Sequence, residues 1–300
     1  MRDTLKEMLG RIHDPEQPPV VMGIVNATPD SFFAPSRVPG TPEGVRSALG
    51  LVEAGADILD VGGESSRPGA EYVSAREELD RVLPVIRGIR EHSDVVISLD
   101  TRKAEVARAA LEAGADIIND ISGFRDDPEL LPLVAGTNTP IVIMHMKGSP
   151  RTMQVDPRYD DPVSEVRGFL ARQVRLALAA GVNPEGIIVD PGIGFGKRLE
   201  DNLALLDNLG ECSRLEGAPP EGFPVLLGHS RKGFIGTLLE PVLTAEDDSA
   251  AGGAPRLIGT LAAGLYGILR GARILRVHDP RETRMAVQVW WSIQQGRQVQ

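Results

Sequence analysis

Eight short apolar runs recur along the chain: VVMGIV at 20–25, ILDV at 58–61, VVISL at 95–99, DIINDI at 116–121, PIVIM at 140–144, GIIV at 186–189, PVLL at 224–227 and RILRV at 273–277. They are rich in Val and Ile and do not alternate with polar residues, the pattern of strands buried on both faces. Between most of them lie segments with helical spacing. In 42–54, Val45, Leu49 and Val52 share a face; in 75–91, Leu79, Val82, Leu83 and Ile86 are in register. Further helical stretches are 103–113, 163–180, 256–270 and 280–293, with Gly114 and Gly181 placed as C-terminal caps.

Strand and helix alternating through eight units predict parallel strands joined by helices. Eight units in about 250 residues is the usual size of a closed (β/α)8 TIM barrel, a single α/β domain; an open doubly wound sheet is the structural alternative. The polar residues 1–17 read as an N-terminal extension or frayed helix, and 18–295 as the barrel domain. The Gly- and Pro-rich stretches 210–224 and 241–255 read as loops or insertions.

A barrel gives meaning to the residue that ends each run. These are Asn26, Gly62-Gly63-Glu64, Asp100, Asn119, His145, Asp190, His229-Ser230 and His278. In a barrel all eight C-terminal strand ends share one face, where active sites are built. Amides, carboxylates and histidines there, with no Lys or Thr among them, predict a functional polar rim. Asp100 and Asp120 also fit as helix N-caps, and His145 and His229 as satisfied histidines near the core.

Composition narrows the ligand. The 300 residues are 42% hydrophobic and 25% charged, as in a soluble globular protein. A formal net charge of −10 argues against nucleic acid as partner. No apolar run approaches a membrane span, and MRDTLKEMLGRIHD is too polar for a secretory leader. Cys212 is the sole cysteine, which excludes an intramolecular disulfide and favours the cytoplasm. An anionic ligand would need local positive charge. Arg67 in GGESSRPG, Lys232 in SRKG, and Arg276 with His278, two apart on the last strand, would supply it at one mouth. VDPGIGFGK (189–197) has neither P-loop spacing nor the dinucleotide fingerprint, and zinc finds no HExxH or cysteine cluster. Phe32 and Phe33 in NATPDSFF could close over a flat ligand.

Taken in order, GIVNATPDSF, GGESSRPG, SLDT, INDISG, IMHMKG, VDPGIGFGK, SRKGFIG and RVHD resemble the motifs of the bacterial dihydropteroate synthases, from about residue 20 to 290. The resemblance implies a TIM barrel, usually a homodimer, that condenses hydroxymethyl-dihydropterin diphosphate with p-aminobenzoate by a dissociative departure of diphosphate. It implies a pterin pocket of Asp100, Asn119, Met144, Asp190, Gly194 and Lys232. The diphosphate would meet Asn26, Arg67, Arg276 and His278, with Mg²⁺ at Asn26. The p-aminobenzoate would lie among Phe32, Ser66, Arg67, Pro68, Phe195 and Gly233. Lys232, Arg276, His278 and Asp100 would carry catalysis. The chain departs from the common family pattern at Ser66 for Thr, at Phe33-Ala34-Pro35-Ser36 for Ser-Asp-Gly-Gly, and at Gly233 for Ser. A pterin-dependent methyltransferase and a non-catalytic pterin-binding paralogue are the rival readings. Lys197 has no role in any of them.

Overall fold

The computed structural model describes residues 2–27, 42–67, 69–243 and 253–296. Each apolar run forms a strand: β1 Val20–Asn26, β2 Ile58–Gly62, β3 Val96–Asp100, β4 Ile117–Asp120, β5 Ile141–Met144, β6 Ile187–Asp190, β7 Val225–Gly228 and β8 Ala272–Val277. They pair in sequence order, all parallel, and close into a barrel. Eleven helices accompany them among the described residues: α1 Asp3–His13, α2 Pro42–Glu53, α3 Ala75–Arg90, α4 Ala104–Ala113, α5 Leu130–Thr137, α6 Pro162–Ala179, α7 Leu199–Asp207, α8 Leu209–Ser213, α9 Gly233–Leu239, α10 Gly253–Leu269 and α11 Pro280–Gln294.

Helix bounds follow local chemistry. The Ser74 hydroxyl accepts from Glu77 N at 3.2 Å to start α3, which buries Val82, Val85, Ile86 and Ile89. Asp161 caps α6 by accepting from Val163 N and Ser164 N, both at 3.1 Å. The apolar spacing had not marked α5, α7, α8 or α9; each is nine residues or shorter, so few turns display a period. The 210–224 segment accordingly begins inside a helix, and 244–252 of the second glycine-rich stretch lie outside the described residues.

Two apolar layers hold the barrel. The outer one lies between strands and helices. The inner one takes a residue from every strand: Met22, Ile58, Val96, Ile117, Val142, Ile188, Leu226 and Ile274. Leu5, Leu9 and Ile12 of α1 join that inner layer and close the N-terminal end of the barrel. Arg2 fastens α1 to Asp116 (2.8 Å from Nε), and Arg11 reaches Asp57 at 2.7 Å. Side chains alternate along a strand, so the residues two further on also face inward. Those are Ile24, Asp60, Ser98, Asn119, Met144, Asp190, Gly228 and Arg276. Register sets parts of this upper tier level: Asp60 stands beside Ser98, Met144 beside Asp190, and Gly228 beside Arg276, while Asn119 stands beside Asp100 at the end of β3.

Candidate active site

The upper tier is a charged network inside an otherwise apolar barrel. Asp60, fully buried on β2, accepts from Ser98 Oγ at 2.6 Å, Asn119 Nδ2 at 3.1 Å and Arg276 Nε at 2.6 Å. Arg276 donates a second bond to Asp100 Oδ2 at 2.7 Å. Burial pulls the guanidinium pKa down, but Asp60 and Asp100 outweigh it and push it up. Burial raises the Asp100 carboxyl above the usual carboxylate range, with Arg276 opposing. Asp60 was not foreseen as a site residue because it lies inside the run ILDV and does not end it. The signal was there: Ile58, Asp60 and Gly62 share one side of the strand.

Two groups in this tier offer unused capacity. The Asn119 Oδ1 is buried and has no hydrogen-bond partner among the described residues. An orphaned buried acceptor costs about 1–3 kcal/mol, which a ligand N–H would recover. Asp190 accepts from Gly192 N at 2.7 Å through one oxygen. Its other oxygen lies 3.7 Å from where a Gly228 side chain would begin. Burial raises the Asp190 pKa against the pull of Lys232. Asn119, Met144 and Asp190 are 2, 2 and 4% exposed.

Above this tier opens a cavity of about 850 Å³, whose walls include Asn26, Asp100, Phe195, Lys232, Arg276 and His278. Asn119, Met144 and Asp190, buried in the same tier as Arg276, do not themselves line it. The Lys232 Nζ stands 4.3 Å from the centroid of the Phe195 ring and donates to the Ile193 carbonyl. Burial lowers its pKa to about 7, with Asp190 opposing and Arg276 assisting. His278 Nδ1 meets Ser230 Oγ at 3.0 Å. Burial, then Arg276 and Arg231, lower the His278 pKa to about 4, so the ring is neutral at pH 7. All four residues expected at the mouth, Arg67, Lys232, Arg276 and His278, line the cavity, and burial lowers the pKa of Lys232 and His278 there.

Ser66 and Arg67 line the cavity on the loop after β2. Glu64 anchors that loop by accepting from Arg102 at 2.7 Å and from Lys103 at 2.5 Å. Gly233 opens α9 at the opposite wall. The Asn26 side chain ends β1 at the cavity and has no hydrogen-bond partner among the described residues. Phe32 and Pro68 lie outside the described residues.

Several rim residues are structural. His229 is held between the Leu227 and Thr260 carbonyls at 3.3 and 3.0 Å. His145 packs edge-on to Phe169 and meets Lys197 Nζ at 3.0 Å. Asp120 folds its own loop, accepting from Ser122 N at 2.8 Å and from Phe124 N at 2.5 Å. Arg231 turns to Asp279, 2.8 Å from Nε. Among the described residues no three His, Cys, Asp or Glu side chains gather as a metal site.

Comparison with known proteins gives one answer. The family model for the pterin binding enzymes matches residues 22–278. The dihydropteroate synthase of Synechocystis sp. is 48% identical over 259 residues, covering 86% of this chain and 84% of that protein. The solved Xanthomonas albilineans dihydropteroate synthase with 4-aminobenzoic acid superposes with a TM-score of 0.79 at 42% identity, covering 93% of this chain and 94% of that one. Burkholderia cenocepacia dihydropteroate synthase complexed with 7,8-dihydropteroate gives a TM-score of 0.78 at 43% identity, covering 93 and 92%.

Proposed function

The chain belongs to the pterin binding enzymes, in the dihydropteroate synthase family of transferases, and from that premise we propose that it condenses hydroxymethyl-dihydropterin diphosphate with p-aminobenzoate, giving dihydropteroate and diphosphate for folate synthesis. The observation that carries this reading is the pair of buried groups at the inner ends of β4 and β6, the Asn119 Oδ1 without a partner among the described residues and the Asp190 carboxylate, beneath a cationic mouth. A pterin edge presents neighbouring N–H donors, which a carboxylate accepts in pairs and an amide oxygen complements. Asp100, Asn119, Met144 and Asp190 would hold the ring, with Gly194 and Lys232 at its other side. Lys232 would donate to the pterin carbonyl.

Asn26, Arg67, Arg276 and His278 would receive the diphosphate. The C–O bond to the leaving group breaks first, and its electron pair departs on the diphosphate. Arg67 and Arg276 stabilise that charge, and the pterin ring delocalises the cation left on the methylene carbon. The neutral amine then attacks and releases its proton. Such a step asks for charge stabilisation and positioning more than for a nucleophile. The aryl amine would lie against Ser66, Arg67, Phe195 and Gly233, with Phe32 and Pro68 completing the pocket. Mg²⁺ fits as an ion that arrives with the diphosphate, since Asn26 offers an amide oxygen with no partner among the described residues and magnesium keeps water and phosphate oxygens as its other ligands. When bound it would add positive charge at the leaving group.

A homodimer is the proposed assembly. Leu238, Ile258, Leu269, Met285, Val289 and Ile293 on α9–α11 are exposed, from 46 to 71%. Apolar side chains grouped in this way mark a protein interface. No described helix is long and apolar enough to cross a membrane. The buried, unpaired Cys212 suits the cytoplasm. The deciding experiment is a diphosphate-release assay with Mg²⁺, run with and without p-aminobenzoate. One dihydropteroate per diphosphate is expected; pterin diphosphate binding without product would sink the proposal.

A further inference from the structure

Lys197 is 3% exposed and takes no part in the chemistry above. Its Nζ donates to the Gly192 and Phe195 carbonyls at 2.9 and 3.0 Å and meets His145 Nδ1 at 3.0 Å. Those carbonyls bracket a turn that Phe195 N closes onto Gly192 O at 3.0 Å. Gly192 and Gly196 have φ of 67° and 63°. Side chains at these positions would come within 1.9 Å of the His145 carbonyl and 2.4 Å of the Lys147 carbonyl. The segment must therefore be glycine-rich to fit, and glycine backbone is the kind most in need of fastening.

Side chains supply the fastening. From 192 to 197 every carbonyl accepts a hydrogen bond from one: Ile193 from Lys232, Gly194 from Gln154 at 2.8 Å, Gly196 from Tyr159 at 2.8 Å, and Lys197 from Asn202 at 3.4 Å, with Gly192 and Phe195 both taken by Lys197. One buried group thus closes both ends of the turn that carries Phe195 and the Ile193 carbonyl under Lys232. The contacts survive a change of protonation. An ammonium gives three donors, whereas an amine gives two N–H groups and a lone pair for a protonated His145 Nδ1.

We propose that Lys197 is a positioning residue for the aryl amine: by holding the Gly192 and Phe195 carbonyls together it sets where the Phe195 ring stands against that substrate. The inference rests on the function proposed above. Asp100 and Asn119 sit on β3 and β4, away from the turn, and Asp190 ends β6 with a single bond from Gly192 N, so losing Lys197 disturbs the aryl-amine wall more than the pterin floor.

The test is Lys197→Met, which keeps the length and removes the donors. The KM for p-aminobenzoate should rise about tenfold while the Kd for pterin diphosphate, by calorimetry, stays within about threefold. Lys197→Gln is read in the same way should the Met variant fail to fold. An unchanged p-aminobenzoate KM, or a pterin Kd that rises in step with it, overturns the assignment. Wild-type protein run alongside separates the two layers of inference: absence of dihydropteroate there defeats the proposed function, whereas the KM comparison bears on Lys197 alone.

Discussion

Arg276 Nε lies 2.6 Å from the Asp60 carboxylate, and that carboxylate is fully buried. The pair joins the last strand to the second across the barrel interior, and Arg276 also reaches Asp100. For Arg276 to bind a diphosphate at the mouth, Asp60 must hold its Nε edge while the outer edge is exchanged. Asp60→Ala leaves a buried guanidinium short of a partner, together with two orphaned donors on Ser98 and Asn119. The expected loss of stability in urea unfolding is about 3 kcal/mol; a loss below about 1 kcal/mol would show that the network is not a structural hub.

Asn119→Ala should weaken pterin diphosphate binding at least about tenfold, one good buried hydrogen bond being worth about 1.4 kcal/mol. Calorimetry checks this. Stability should change by less than the Asp60 variant, since Oδ1 has no partner to lose and only the 3.1 Å bond from Nδ2 disappears. Undiminished affinity would remove Asn119 from the pterin pocket.

The pH profile should expose Lys232. Burial brings its pKa down to about 7, so the ammonium needed at the pterin carbonyl is lost as pH rises through that value. kcat/KM for pterin diphosphate reports the free enzyme's groups and should fall above about pH 7. Lys232→Arg keeps its charge and should lose that alkaline limb even if its maximum is lower. A limb that persists in Lys232→Arg assigns it to another group.

Stability should respond to pH through Lys197 with the opposite sign. Burial depresses its folded pKa from 10.5 to about 7, with Asp190 opposing. Between those values the unfolded chain binds the extra proton, so this group's contribution to stability increases as pH rises from about 7 towards 10.5. Urea midpoints across that window should climb less steeply in Lys197→Met than in wild type. Parallel slopes would contradict the depressed value.

The end of the barrel opposite the cavity should tolerate functional neglect but not loss of packing. Ile12 is completely buried in the layer that α1 completes. Ile12→Ala should cost about 3 kcal/mol in unfolding experiments while kcat/KM stays within about twofold. A large activity change at full folding would mean that α1 communicates with the mouth.

The strands and most of the rim were legible because buried parallel strands write themselves as apolar runs, and Asn26, Asp100, Asn119 and Asp190 stand at or near the ends of theirs. Asp60 was hidden by the same rule: a carboxylate within ILDV reads as an interruption until the strand's inward face is known. Lys197 was opaque for a different reason. Its partners are main-chain carbonyls and His145, and no residue pattern announces a hydrogen bond to a carbonyl. The histidines divided: His145 and His229, which also fitted as satisfied histidines near the core, are occupied within the protein, and His278 alone of the three faces the cavity. His229 is held by two carbonyls at its strand end, and burial among Arg276 and Arg231 lowers the His278 pKa to about 4. Short helices such as α7 and α9 lack enough turns for a period to show.

The two stacked inner tiers, apolar below and polar two residues above, make the barrel unequally tolerant of two kinds of change. Replacing one inward residue alters one place in one tier. Inserting or deleting a single residue early in a strand turns its inward face outward: in β2 it would bring Leu59 and Val61 into the interior and send Asp60 into the helix layer. Changes of length therefore belong in the loops between strands and helices, and a designer wishing to reshape the cavity should vary side chains on the strands and spend insertions elsewhere.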